Sequence, residues 1–200
     1  IEWVMHNAVI FFFGCTSMLI VPFVKVYTKG VTDANYIQPI FAYIITCAYA
    51  VHCLRLPYNM MVLAAGHFKQ TQKYYNIAAV INIVVSVLTV KVCGLIGVSV
   101  GTLLAMLFHT VWTTIYNTKN LLKRPLKHYF RQVLMDMATI VVCIVCVHFY
   151  EMKYISYMSW IVLAIKTALT WGSIQLLMNC AFFKNNLINM WKKVLMKDNE

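Results

Sequence analysis

The chain has 200 residues, of which 62% are hydrophobic and 12% charged, with a net charge of +11 and a mean hydropathy of +0.72. Soluble domains are about half apolar and about one quarter charged. A water-soluble protein of this composition would expose larger apolar patches than soluble monomers tolerate. The composition therefore excludes an ordinary soluble domain and predicts a protein that is embedded in lipid.

Six apolar segments are long enough to cross a bilayer, which requires about 20 mostly apolar residues. They cover approximately 3–24, 36–65, 75–92, 95–116, 133–150 and 158–183. We therefore predict an all-α, polytopic membrane protein with a six-helix transmembrane bundle over residues 1–183 and a basic cytoplasmic tail over 184–200. Because the sequence begins with Ile1 inside an apolar stretch, we expect it to be a piece of a longer protein.

The basic residues between the spans predict the orientation in the membrane. Alternation of the spans places four of them on one face: Lys25, Lys29, Lys91 and Lys153. Eleven fall on the opposite face: Lys69, Lys73, Lys119, Lys123, Arg124, Lys127, Arg131, Lys184, Lys192, Lys193 and Lys197. Cytoplasmic loops carry the excess of Lys and Arg, so the second face and the C-terminus are predicted to be cytoplasmic. Topology and contact with anionic lipid explain these charges, and no nucleic-acid partner is expected.

Two short motifs favour packing roles. Cys143 and Cys146 have CxxC spacing, but no glycine turn or charged neighbour is present to activate a thiolate, so packing is favoured over redox chemistry. Gly97 and Gly101 form a GxxxG motif, which allows two helix backbones to approach closely. Packing within the chain is favoured there, and dimerisation stays open.

The second span contains the strongest candidate site, with His52, Arg55, Pro57, Tyr58 and Asn59. Arg55 lies ten residues from the predicted end of the span, about 15 Å along a helix, and such a buried charge is a functional-site hypothesis. His52, Arg55 and Asn59 share one helix face, and Pro57 is expected to kink or loosen the helix. These residues predict a cavity for an anionic group. The alternative is an arginine bound to carbonyls of a neighbouring helix for structural reasons.

Other polar residues within the spans give weaker signals. Lys166 lies about 12 Å inside the last span, and it either lines the same cavity or extends to the outer headgroups. Asn82, Ser86 and Thr89 form a stripe for which hydrogen bonding between helices is favoured over transport.

At the cytoplasmic end, His6 and Asn7 face either a vestibule or the lipid interface, and the sequence does not decide between them. Asp136 is the one acidic residue inside a span, whereas exporters of organic cations usually rely on a buried carboxylate. An anionic cargo therefore fits the chain better. The sequence shows no metal-ligand cluster, phosphate loop or catalytic triad. We expect a transporter without metal or cofactor, not an enzyme.

Three runs of residues, 26–36, 53–59 and 64–71, followed by Asn82 and 94–102, resemble oligosaccharide flippases of polysaccharide biosynthesis. These proteins belong to the multidrug/oligosaccharidyl-lipid/polysaccharide exporter superfamily. The resemblance implies that the chain is the C-terminal bundle of a two-bundle flippase whose N-terminal half is missing here. It implies an undecaprenyl-diphosphate-linked glycan as the substrate, and a bacterial cell membrane. Arg55 and Lys166 would then face the central cavity between the bundles.

Two other classes remain as alternatives. One is a drug or metabolite exporter of the same fold. The other is a membrane glycosyltransferase or polymerase, which would need paired carboxylates or a nucleophile near a membrane face. The longest internal loop, 117–132, contains no acidic residue and gives this second alternative no support.

Overall fold

The computed structural model describes residues 2–123, 125–184 and 187–188. This part of the chain is all-α and contains no strand. Its six long helices are α1 (Glu2–Tyr27), α2 (Pro39–Ala64), α3 (Phe68–Cys93), α4 (Leu95–Asn117), α5 (Lys127–Val147) and α6 (Tyr157–Phe182). All six are long and apolar enough to cross a membrane, which makes this a multi-pass membrane protein, as the composition predicted.

Two helices begin well before the predicted spans. Helix α3 begins at Phe68 instead of 75, and α5 begins at Lys127 instead of 133. Their first turns carry Lys69, Lys73 and Arg131, which a search for apolar residues excludes although a helix continues through them. Helix α5 also ends at Val147, before the predicted 150. The predicted tail lies outside the described residues except for 184, 187 and 188.

Glycine and proline set the helix connections. Helix α2 begins with Pro39 in its first turn, where the missing N–H has no helical partner to lose. Helices α3 and α4 meet at Gly94, whose φ of 56° lies in the region that glycine adopts without strain. Helix α4 continues into a π-helical turn, Thr118–Leu122, which stops at Lys123 with a φ of 48°.

The helices form two groups. Helix α4 packs between α2 and α3, whereas α2 and α3 touch each other very little. Helices α1, α5 and α6 pack on one another, and α1 also packs along α2. The α2–α3–α4 group and the α1–α5–α6 group therefore meet mainly where α1 and α2 lie together.

The GxxxG motif packs α4 against α3. A Cβ added to Gly97 would lie 2.5 Å from the carbonyl carbon of Thr89, and one on Gly101 would lie 2.9 Å from the backbone nitrogen of Ser86. The Thr89 hydroxyl donates to the Gly97 carbonyl at 2.9 Å, and the Ser86 hydroxyl donates to the Val98 carbonyl at 3.5 Å. The glycines and the polar stripe of α3 thus join two helices of one chain.

The α1–α5–α6 group has an apolar core around Trp171, whose side chain is fully buried. It contains Cys15, Cys143 and Val147, and the Trp171 ring occupies the space that a Cβ on Gly14 would fill. Cys143 and Cys146 carry free thiols, and Cys143 is a packing residue of this core.

Candidate functional site

Arg55 is buried within the α2–α3–α4 group, with only 4% of its surface exposed. Its Nη2 donates to Nδ1 of His52, one turn earlier on α2, at 2.7 Å. Its Nε and Nη1 are buried without a hydrogen-bond partner. A guanidinium stays protonated in proteins, so this side chain keeps a full charge and unused donors. Such a group is costly unless an anion or an acceptor completes it.

His109 of α4 belongs to the same site. It is 4% exposed, its Nε2 is buried without a partner, and it interacts electrostatically with Arg55 and His52. We call His52, Arg55 and His109 the Arg55 cluster. Each of the three side chains carries N–H groups that can donate to an acceptor, while Nδ1 of His52 accepts from Arg55.

Tyr75 of α3 covers this cluster from the side. Its ring stands edge-on to the His109 ring, with 4.1 Å between the centroids, and its hydroxyl donates to Oδ1 of Asn59 at 3.2 Å. Tyr75 is 41% exposed, so its outer surface lies at the edge of the bundle. Asn59 therefore holds the covering tyrosine and does not itself contact Arg55 in this conformation.

The cluster has no acidic partner among the described residues. The one ion pair that they form joins His6 and Asp136, in the other helix group. Among the described residues, Arg55 bonds His52 and interacts electrostatically with His109 and Tyr75. The site therefore has the electrostatics of an anion site whose donors are in place.

The other predicted site residues lie elsewhere. Tyr58 is buried, and its hydroxyl donates to a carboxylate oxygen of Glu2 at the beginning of α1. Helix α2 continues through Pro57 as one helix. Lys166 is exposed and lines a separate cavity beside the α5–α6 connection, away from Arg55.

The surroundings of Arg55 differ from what the family resemblance implies. A residue that faces a cavity between two bundles would be exposed when only one bundle is present. Arg55 is instead enclosed by helices of its own bundle, and it is absent from the lining of the cavities beside the α5–α6 connection, between α1, α5 and α6, and along α3 and α4. Access to it requires the helices to separate.

A second polar cluster joins α1, α5 and α6 at the predicted cytoplasmic end. The Nδ1 of His6 forms a hydrogen bond with the Asp136 carboxylate, which also accepts from Gln132 at 3.1 Å. His6 is 1% exposed and Asp136 13%. His6 thus faces neither a vestibule nor the lipid interface, because it binds a neighbouring helix.

Asn7 is the centre of the same contact between α1 and α6. Its side-chain oxygen accepts from Gln175 at 2.9 Å and also from Asn179. Asn179 in turn accepts from the Trp3 indole at 3.0 Å. Buried polar side chains of this kind hold membrane helices together because lipid offers them no partner.

His109 was missed by the sequence analysis because a single histidine inside an apolar run gives no sign of its neighbours. A weak signal exists: His109, Thr113 and Asn117 follow one another at four-residue spacing on α4, and all three are buried. The pairs Gln132–Asp136 and Gln175–Asn179 have the same spacing, and Asp136, Gln175 and Asn179 each bond a side chain of α1.

The chain matches no protein-family model, no curated protein and no solved structure. The resemblance to oligosaccharide flippases therefore stays a prediction. Among the residues that the structure describes, no group of three or more His, Cys, Asp or Glu is placed to hold a metal ion.

Proposed function

We propose that this chain is one six-helix bundle of a flippase that moves lipid-linked oligosaccharide or polysaccharide repeat units across the bacterial cell membrane by alternating access. The observation that supports this most is the buried Arg55, with two unused nitrogen donors and no carboxylate within reach in the described structure. Arginine binds phosphate through charge-assisted hydrogen bonds, which are strongest where water is excluded. The diphosphate of an undecaprenyl-diphosphate-linked glycan has the complementary charge.

The covering tyrosine gives the cluster a route of access. The hydrogen bond from Tyr75 to Asn59 is exposed and links α3 to α2, which otherwise touch little. Separating α3 from α2 breaks this bond and uncovers His109 and Arg55. The closed arrangement is then one of the two states of an alternating-access cycle, in which the site opens to one side at a time.

Arg55→Ala tests the proposal in a strain that lacks the gene. We expect export of the lipid-linked glycan to fall roughly tenfold or more, because a charge-assisted contact is lost, while membrane insertion is unchanged. Arg55→Lys keeps the charge and should retain part of the activity. Lys91→Ala, which removes an exposed charge at the far end of α3, is the matched control. Full complementation by Arg55→Ala at equal expression would refute the assignment.

Arg55→Met separates a binding role from a structural one. Because Arg55 makes one hydrogen bond and is otherwise uncompensated, an apolar side chain of similar length should leave the thermal stability of the purified protein unchanged or raise it. Export should still be lost. If Arg55→Met unfolds several degrees below the unmodified protein, the arginine holds the helices together, and the proposal of an anion site is wrong.

A drug or metabolite exporter of the same fold is the second candidate, and Asp136 is the observation that favours it. A buried carboxylate can bind an organic cation, but this one already accepts bonds from His6 and Gln132. Deletion of the gene distinguishes the two functions. Accumulation of lipid-linked sugar on the cytoplasmic side supports the flippase, and drug sensitivity without that accumulation supports the exporter.

A further inference from the structure

Helix α5 ends far short of the outer end of its neighbour α6. Val147, the last residue of α5, packs in the core beside Trp171, and the Tyr150 hydroxyl bonds Thr170 at 2.9 Å. Helix α6 begins at Tyr157, 13 residues before Thr170, which is about 20 Å of helix. Over that distance α6 has no helical α5 beside it.

The gap lies within the outer half of the membrane. Trp160 of α6 packs against Phe23 of α1, with 5.2 Å between the ring centroids, and aromatic residues of this kind mark the outer interface. The apolar core of a bilayer extends about 15 Å from its centre to either interface. The chain that returns from Val147 to Tyr157 is therefore irregular backbone at hydrocarbon depth. Lipid does not tolerate such backbone unless it is buried in protein or lines a polar cavity.

A cavity of about 570 Å³ fills this gap, which is within the size range of small-molecule sites. Its polar lining includes Lys153, Glu151 and Ser159, and Lys166 lies at its deeper end. Lys166 follows Tyr157 by nine residues, about 13 Å along α6. Lys29, which does not line the cavity, donates from its Nζ to the Ile155 carbonyl of the same connection at 3.1 Å.

The charge and the walls of the cavity define its ligand. Two lysines and one glutamate line it, which leaves an excess of positive charge. Phe149 and Met158 belong to its apolar lining, and both side chains are largely exposed at the surface of the bundle. A ligand that fits has an anionic head for the lysines and apolar chains that continue into the surrounding lipid.

We propose that this cavity binds the headgroup of an anionic phospholipid of the outer leaflet, with its phosphate between Lys153 and Lys166. The lysine at hydrocarbon depth then has a counter-ion, since the irregular segment leaves room for a headgroup to sink below the interface. The site is independent of the Arg55 cluster, which lies in the other helix group, and therefore of the proposed transport function.

Native mass spectrometry of the purified chain from nanodiscs tests this site. The probe is phosphatidylglycerol in a phosphatidylcholine bilayer. The unmodified chain should retain phosphatidylglycerol, and the double variant Lys153→Gln, Lys166→Gln should retain roughly tenfold less, because two charge-assisted contacts are lost. Lys166→Arg should keep the lipid. Lys91→Gln is the matched control, since it removes an exposed lysine at the same membrane face.

Glu151→Gln is the most specific test, because removing the one negative charge of the lining should increase retention of phosphatidylglycerol. Thermal unfolding of each variant verifies that the bundle is intact. Equal retention by the double variant and the control would overturn the site. So would equal loss of phosphatidylcholine and phosphatidylglycerol, which would mean that the headgroup charge is not recognised. Displacement of the lipid by inorganic phosphate would assign the cavity to a free anion instead.

Discussion

Buried polar side chains in this bundle differ in how completely their neighbours satisfy them. The Asp136 carboxylate accepts from His6 and Gln132, so its charge is compensated by two helices. Arg55 makes a single hydrogen bond, to His52, and two of its nitrogens have no hydrogen-bond partner. A satisfied pair holds helices in place. An unsatisfied buried cation lowers the stability of the folded protein and is retained where it binds a ligand. The first cluster thus has the properties of a structural contact and the second those of a binding site.

Asp136→Ala should destabilise the bundle by about 3 kcal/mol, because it leaves the buried His6 without its partner. The measurement is thermal or denaturant unfolding of the purified protein in one detergent. Lys127→Ala, which changes an exposed charge on the same helix, should shift stability by less than about 0.5 kcal/mol. An Asp136→Ala protein as stable as this control would show that the pair does not hold α1 to α5.

The position of Arg55 in the interior of a long apolar helix was predictable from the sequence, whereas its depth in the membrane stays a prediction. Its neighbours were not predictable. His109 and Tyr75 come from α4 and α3, and only the packing of three helices brings them to Arg55. The same holds for Lys166. The sequence showed that it lies in the last span, but the cavity that it lines depends on the early end of α5.

Helix α4 is the central element of the α2–α3–α4 group. Its glycine face lies against α3, and on its other side Thr110 donates to the Val51 carbonyl of α2 at 3.1 Å. Buried threonines and Asn117 continue along it toward the π-helical turn. The polar residues of α4 are thus used between helices, and the close approach to α3 is what places Tyr75 over the Arg55 cluster.

Gly97→Ala should cost about 2 kcal/mol of stability, because the new methyl group meets the backbone of Thr89 and not a flexible side chain. Gly172→Ala is the matched control. A Cβ there lies 3.5 Å from the Phe11 ring, an ordinary contact, so this variant should be tolerated. Unfolding temperatures measured side by side check the difference, and equal values would mean that α3 and α4 can separate without loss.

Six apolar runs were enough to predict six helices, since lipid requires each span to satisfy its own backbone. The residues at which the helices begin and end were harder to predict from the sequence. The early beginnings of α3 and α5 lie in basic turns that no search for apolar residues includes. The early end of α5 was hidden because His148, Phe149 and Tyr150 continue the apolar pattern that precedes them.

The whole bundle places both ends of the described chain on one side. Trp3 of α1 bonds Asn179 near the end of α6, and at the opposite side Lys29 bonds the α5–α6 connection. The connections that carry most of the lysines and arginines lie on the side of Trp3. By the positive-inside rule, this side is predicted to be cytoplasmic.

Cysteine labelling checks that orientation in intact cells. In a chain whose seven native cysteines are replaced, Asp33→Cys in the exposed α1–α2 loop should react with a membrane-impermeant maleimide from outside. Lys119→Cys, exposed on the other side, should react only after the cells are permeabilised. The reverse pattern would show that the chain is inserted the opposite way.

The pairing of α1 with α5 and α6 has a consequence for biosynthesis. His6 and Asn7 are synthesised before the other helices of this bundle, and their partners Asp136, Gln175 and Asn179 follow more than a hundred residues later. Until the ribosome has passed Asn179, the polar side chains of the nascent helix α1 lack their hydrogen-bond partners from α5 and α6. The insertion machinery must hold α1 at its own protein-lined exit, or at the headgroups, while α2, α3 and α4 assemble beside it.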